Sequence, residues 1–204
     1  MFTKNGNILK INGNWLNPSD SPVPPSPVLP DNTIRLKYAD GVTPIFTKGT
    51  PVQVSSSPNV WDLTYGYGDW SNLTAYNNSD LIEVIDANTS NVTDMSNMFS
   101  RCNNLTSVPL FDTSNVTSMY NMFGNCAKLT SIPLFNTSKV TNMETMFWNC
   151  YRVESGALDL YLQASTQSSP PWNHSNCFHN CGSQTLTGSA ELSQIPSSWG
   201  GNGA

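Results

Sequence analysis

Three stretches at constant spacing decide how the chain reads. They are Thr89-Ser-Asn-Val-Thr-Asp-Met-Ser-Asn-Met-Phe-Ser-Arg-Cys102, Thr113-Ser-Asn-Val-Thr-Ser-Met-Tyr-Asn-Met-Phe-Gly-Asn-Cys126 and Thr137-Ser-Lys-Val-Thr-Asn-Met-Glu-Thr-Met-Phe-Trp-Asn-Cys150. The period is 24 residues, with Val92, Val116 and Val140 in register and the Met, Phe and Cys positions following suit. A period of this size signals stacked coils, each unable to bury its apolar face alone.

Within one copy, Val92, Met95, Phe99 and Cys102 fall at i, i+3, i+7 and i+10. That spacing predicts one face of a short helix, with Thr89 or Ser90 placed to cap it. Leu105, Val108 and Leu110, and Leu129, Ile132 and Leu134 in the next copy, fall at i, i+3 and i+5, a leucine-rich-repeat spacing for a short strand with alternate side chains inward. The expected fold class is therefore α/β: a leucine-rich-repeat-like solenoid of short helices and short parallel strands. A β-rich N-terminal cap and an extended N-terminal arm precede it.

The pattern Thr-Ser-x-Val-Thr-x-Met-x-x-Met-Phe-x-x-Cys-x-x-Leu-Thr-Ser-x-Pro-Leu-Phe resembles the BspA-like leucine-rich-repeat surface proteins, which occur in gut Bacteroidetes, mycoplasmas and phages of gut bacteria. The resemblance covers roughly residues 80–182. It implies surface binding or adhesion, and it brings no catalytic residue and no cofactor.

Composition narrows the class further. Only 11% of the 204 residues are charged, and the net charge is −5, with a pI near 4.7. No cluster of Lys and Arg exists to displace counterions from phosphates, which argues against nucleic acid as a partner. No run approaches 18 apolar residues, so no membrane insertion is expected. Residues 1–15 carry no apolar core of a signal peptide and no lipid-attachment Cys, and so read as neither leader.

Outside the repeats the chain divides by composition. Residues 1–17 hold two Asn-Gly-Asn units around Ile-Leu-Lys-Ile. They read as a short strand between turns that anchors to another chain through Ile8, Ile11, Trp15 and Leu16. Residues 18–30 contain six prolines and read as a semi-rigid spacer. Residues 31–79 alternate apolar and polar side chains as a β-rich cap, with Trp61, Tyr65, Tyr67 and Trp70 expected at its junction with the first coil. Phe178-His-Asn-Cys181 repeats Phe147-Trp-Asn-Cys150 at a shift of 31, so the solenoid, 80–182, carries an insertion near 165–172. Residues 183–204 form a C-terminal cap and tail.

Candidate chemistry is sparse. His174, Cys177, His179 and Cys181 are of metal-ligating type, but the repeat alignment turns the two Cys inward and His179 outward, so no metal site is expected. Cys102, Cys126 and Cys150 read as buried free thiols, because equivalent positions on the helical side are spaced beyond disulfide reach. No pair of carboxylates recurs at facing positions, and no hydrolase or phosphate-loop motif is present, so no enzyme is expected. The surface candidates are Pro109, Phe111, Pro133 and Phe135 on the strand side, with Trp148 and Trp172. Together these features lead to the expectation of a virion-surface head or tail fibre. Residues 1–17 would dock to a capsid or tail protein, and the repeats would meet a host-surface protein or glycan. By analogy with fibres the chain would be a homo-oligomer, a trimer first. The alternative is an adhesin of the bacterial cell surface.

Overall fold

The computed structural model describes residues 29–46, 48–66, 68–72 and 78–203, with the backbone alone of 10–11 and 14–15. Lys10–Ile11 (β1) and Asn14–Trp15 (β2) pair antiparallel over two residues. Ile8, Leu16, the side chains of Ile11 and Trp15, and the proline-rich run up to residue 28 lie outside the described residues.

Thr33–Tyr38 (β3), Thr50–Ser56 (β4), Asn59–Thr64 (β5) and, after the short Gly68–Asp69 (β6), Leu81–Ala87 (β7) make an antiparallel sheet in the order β4-β5-β3-β7. The alternation of β3 explains its place: Ile34, Leu36 and Tyr38 are buried on one face. On the other face Arg35 donates through Nε and Nη2 to the two Asp62 carboxylate oxygens at 2.7 and 2.8 Å, and Lys37 reaches Glu83 at 3.3 Å. β7 belongs to two systems at once. Its one edge pairs antiparallel with β3. On its other edge Val84 N–H donates to Ser107 O, and Thr106 N–H to Ile82 O, in a parallel bridge that begins the repeats. β6 pairs parallel with Val92–Asp94 (β8) in the same way, and Trp70 is fully buried beside it.

The expected α/β class, a leucine-rich-repeat-like solenoid of helices and parallel strands, does not form. Extended structure is mostly the antiparallel sheet. The α-helices among the described residues are Ala157–Thr166 (α1) and Leu186–Leu192 (α2), both short and both after the third copy of the repeat. The segment expected as an inserted loop, 165–172, holds the last two residues of α1 and the turn that follows it.

Left-handed backbone is the physical reason no helix forms at 95–102. Each repeat places two residues at positive φ: Asn97 (55°) and Arg101 (63°), Asn121 (51°) and Asn125 (64°), Thr145 (54°) and Asn149 (61°), Asn176 (55°) and Asn180 (59°). A right-handed helix requires φ near −60°, so two such residues four apart abolish it. Asn is the side-chain-bearing residue that best tolerates this region. The chain turns repeatedly, and its backbone donors go to the next copy instead of along a helix. Met95, Asn97, Phe99 and Arg101 N–H donate to Ser118, Tyr120, Met122 and Gly124 carbonyls at 2.7 to 3.0 Å. Met119, Asn121, Phe123 and Asn125 repeat the pattern onto Asn142, Glu144, Met146 and Trp148. Each repeat is thus one tier of turns.

The expected strand is likewise reduced to single bridges, Glu83 with Ser107 and Ser131 with Ser155. Pro109 and Pro133 have no N–H to give a ladder. Phe135 N–H donates to Pro133 O at 2.9 Å, a three-residue turn about Leu134. That turn breaks the alternation, so Phe135 faces in and Leu134 out.

Side chains inside the tiers stand on their own copies. Phe99, Phe123, Phe147 and Phe178 stack with centroids 5.5, 5.3 and 5.9 Å apart, and Trp199 closes the column 6.4 Å beyond Phe178. Buried Thr89 and Thr113 donate to Asp112 O and Asn136 O in the next tier at 2.9 Å. Where that next tier ends, Gln167 Oε1 accepts from Thr137 at 3.0 Å. Amides form a second ladder: Asn121 Nδ2 donates to Asn97 Oδ1, Asn149 Nδ2 to Asn125 Oδ1 and Asn180 Nδ2 to Asn149 Oδ1.

All five cysteines are free and buried. With no helix present, the reason is local. Cys126 and Cys150 thiols donate to Phe99 O and Phe123 O at 3.2 and 3.1 Å. Burial pushes the Cys126, Cys177 and Cys181 thiols up, and Cys150 to about 12.

Truncating Phe123 to Ala in the middle of the column should cost about 3–5 kcal/mol in denaturant unfolding, whereas Leu134→Ala, half in solvent, should cost no more than about 0.5 kcal/mol. At the left-handed corner, Asn121→Ala should destabilise by about 1–2 kcal/mol, and Asn121→Gly by less, because Gly restores the backbone but not the amide ladder. The thiols should resist a thiol-specific reagent at pH 8 until the chain unfolds. The unfolded thiols ionise near pH ~8.5 while the buried ones stay neutral, so stability should fall as pH rises above that value. Replacing the cysteines by Ala should flatten that alkaline fall.

Candidate surface-binding site

Most residues that repeat face inward and most that vary face outward. Val92, Met95, Met98, Phe99, Cys102 and Leu105 are buried in the first tier, as are their copies in the second. Three positions change from tier to tier: Ser96, Tyr120 and Glu144; Ser100, Gly124 and Trp148, of which only Trp148 is exposed; and Asn104, Lys128 and Arg152.

The surface candidates separate accordingly. Phe111 and Phe135 are corrected: they are 2% and 0% exposed and stack face to face at 5.7 Å inside the core. Leu110 and Leu134 take the outward positions, 64% and 53% exposed. Pro109 and Pro133 are half-buried. Trp148 is 37% exposed and Trp172 77% exposed, and they are not brought to one hollow. Trp172 precedes Asn173, which bridges Asn142 on a different side of the tier.

Trp148 lines a hollow of about 330 Å³ with Arg101, Asn103 and Asn125. Its walls come from three consecutive tiers that are tied by backbone bonds. Arg101 N–H donates to Gly124 O at 2.7 Å, and Asn125 N–H to Trp148 O at 2.6 Å. Asn103 N–H turns back onto Arg101 O at 2.9 Å. Asn149 holds the Asn125 amide through Oδ1 at 3.2 Å, leaving the Asn125 Nδ2 donors without a partner among the described residues. The tiers above keep this corner small with Ser100 and Gly124, and a Cβ at Gly124 would collide with the Asn121 side-chain amide.

Three of the four basic side chains of the repeats, Arg101, Lys128 and Arg152, fall on this corner, at 101–106 and the equivalent 125–130 and 149–154. Lys139 lies elsewhere, bonded to Asn115 at 2.7 Å. Neighbouring hollows mix signs: Asp80 with Lys128, and Glu154 with Arg152. A further hollow beside Leu29 holds Asp86 and Asp112. Ser114, through its hydroxyl first and then its N–H, which donates to the Asp112 carboxylate at 3.0 Å, keeps Asp112 below the usual carboxylate range.

The cysteine and histidine group splits as the repeats require. Cys177 and Cys181 are buried, His179 is exposed, and His174 lies flat on Trp199 at 4.1 Å. Among the described residues no three His, Cys, Asp or Glu side chains are grouped to hold a metal ion.

The sequence reading missed the Arg101 hollow. Its signal was a break in the repeat itself, an Arg where the other tiers carry Asn125, Asn149 and Asn180, near a Trp at a position that varies through Ser100, Gly124 and His179.

No curated protein and no solved structure matches the chain. One family match, to residues 70–184, takes in the three full tiers and more than half of the 204 residues. The chain therefore belongs to the family described as Mycoplasma protein of unknown function, DUF285.

Proposed function

We propose that this chain is a non-enzymatic display protein of a virion surface, a head or tail fibre, whose N-terminal residues dock to a capsid or tail component while the tiers meet a host-surface protein or glycan. The division between inward and outward positions carries this reading. Most repeated residues build the frame, in the Phe column, the Thr and Asn ladders and the buried thiols, while Leu110 and Leu134 repeat on the outside. Most of the positions left free to differ face solvent. A frame held constant beneath a varied, nearly neutral surface suits recognition of extended, hydrated partners. The four hollows described are shallow and open, which suits surface contact better than enclosure of a substrate. The second reading, an adhesin of the bacterial cell surface, uses the same tiers and differs only in what carries them.

The two are separated by location. Antibody raised against the full chain is applied to particles banded on a density gradient from a lysate of the source culture, and to intact cells of the same culture before lysis. Gold label on the particles is the expected result. Label on the envelope of intact cells alone would favour the adhesin, and label confined to the soluble fraction would overturn both.

A further inference from the structure

We infer that the apolar strip formed by Ile85, Leu110, Leu134, Leu158 and Leu162, with the acidic row beside it, docks a cationic amphipathic helix of a host-surface protein. This deepens the attachment reading and rests on it.

Leu110 and Leu134 repeat while facing out, 64% and 53% exposed. A Leu kept in solvent in successive tiers gives the fold nothing that a polar side chain would not. Phe111 stacked on Phe135 at 5.7 Å sets the two leucines side by side. The strip continues at both ends. Above, the bridge between Glu83 and Ser107 puts Ile85, 40% exposed, level with Pro109. Below, Leu158 is next in the period, and Leu162 follows one turn along α1, 47% exposed. Gln163 fixes α1 at this place by donating to Phe135 O at 2.6 Å. A contiguous apolar strip in solvent marks an interaction site.

Charge of one sign runs beside it. Asn88, Asp112 and Asn136 hold one position of the repeat. Asp31 joins the row at the top by accepting from Asn88 Nδ2 at 3.1 Å, and Asp159, in the first turn of α1 and one helical turn before Gln163, extends it at the bottom. All three carboxylates are exposed, and none has an ion pair among the described residues. The complement of such a surface is a segment with a row of apolar side chains beside a row of Lys or Arg.

The backbone and the dimensions select the form of that segment. Pro109 and Pro133 have no N–H, and the backbone bonds around them, from Thr106 to Ile82 O and from Thr130 to Thr106 O, run from tier to tier, so an added strand finds no edge here. A helix satisfies its own backbone and offers side chains alone. Its pitch of 5.4 Å nearly matches the roughly 4.8 Å between tiers, so residues at i, i+4 and i+7 fall over successive leucines. A strip about 14 Å tall and one side chain wide falls short of the roughly 800 Å² that each partner buries in a stable dimer, and suits one helix better than a second copy of the chain.

The test uses the purified full chain and a synthetic helix of about 15 residues, with Leu at i, i+4, i+7 and i+11 and Lys on the adjoining face, beside a scrambled peptide of the same composition. Binding is followed by fluorescence anisotropy at low and high salt. The amphipathic peptide should bind about tenfold more tightly than the scrambled one, and salt should weaken it. Replacing both Leu110 and Leu134 by Ser should lower that affinity about tenfold and leave the thermal midpoint in place. Asp112→Asn should lower affinity and flatten its salt dependence. The turn survives this change, because Asn136 accepts the Ser138 N–H at 3.0 Å as Asp112 accepts that of Ser114. Leu186→Ser, at a 94% exposed position on α2, should change nothing. Equal binding of the scrambled peptide, or a double Leu variant with full affinity, would overturn the assignment. An oligomer of the chain that the double variant dissociates in sedimentation would also overturn it, in favour of a second copy. The attachment reading would survive each of these results, because it stands or falls on where the gold label appears.

Discussion

The structure depends on one constraint: every tier hands its backbone donors to the next. The bonds at Met95, Asn97, Phe99 and Arg101, repeated at Met119, Asn121, Phe123 and Asn125, set successive tiers at the separation of neighbouring strands, about 4.8 Å. At that distance each inward side chain stands on its own copy. Only groups that stack on themselves are admitted: phenyl rings offset by 5.3 to 5.9 Å, amides that donate and accept in turn, and hydroxyls that reach a carbonyl. Ionised groups do not stack on themselves, which explains why the repeats hold so few. Asp94 is followed by Ser118 and Asn142, and Asp112 by Asn136. The like-charged step from Lys128 to Arg152 is tolerated because both side chains are exposed and long enough for their heads to part.

A stack held by such bonds has two open ends, and each is closed by different chemistry. At the N-terminal end β7 lends one edge to the cap sheet and the other to Ser107, so the antiparallel sheet and the tiers share a strand. Trp70 fills the space beside β8 that a Met fills further on. At the C-terminal end the repeated residues are replaced by ones that do not need a successor. Gln167 accepts the Thr137 hydroxyl, Gln163 donates to Phe135 O at 2.6 Å, and Trp199 covers Phe178. Glu191 on α2 accepts the first two free N–H groups of α1, at Ala157 and Leu158. These end residues break the period for the same reason that the inner ones keep it.

Much of this could be read in the chain, and the failures have a common cause. The period, the buried Val, Met and Phe positions and the free thiols followed from spacing alone. The helix did not form because apolar spacing of i, i+3, i+7 fits any chain that returns to one face, whether by helical rotation or by successive turns. Asn97, Asn121 and Asn176, with Asn125, Asn149 and Asn180, were the discriminating signal, since Asn recurring four apart favours left-handed corners over helix. Phe111 and Phe135 were misplaced for a related reason. Strict alternation holds only while a strand continues, and Pro109 and Pro133 end it two residues before the side chains that matter.

The same logic separates frame from surface more sharply than burial does. In a stack where a copy must stand on its copy, a position that repeats is constrained by the tier above and the tier below. A position that varies has been released from both, and most such positions are where the side chain leaves the stack. Tyr120, Lys128, Glu144, Trp148 and Arg152 all meet that condition. Arg101 differs from them, because it varies at a position the backbone still constrains: its φ of 63° and its N–H bond to Gly124 are those of the Asn it replaces.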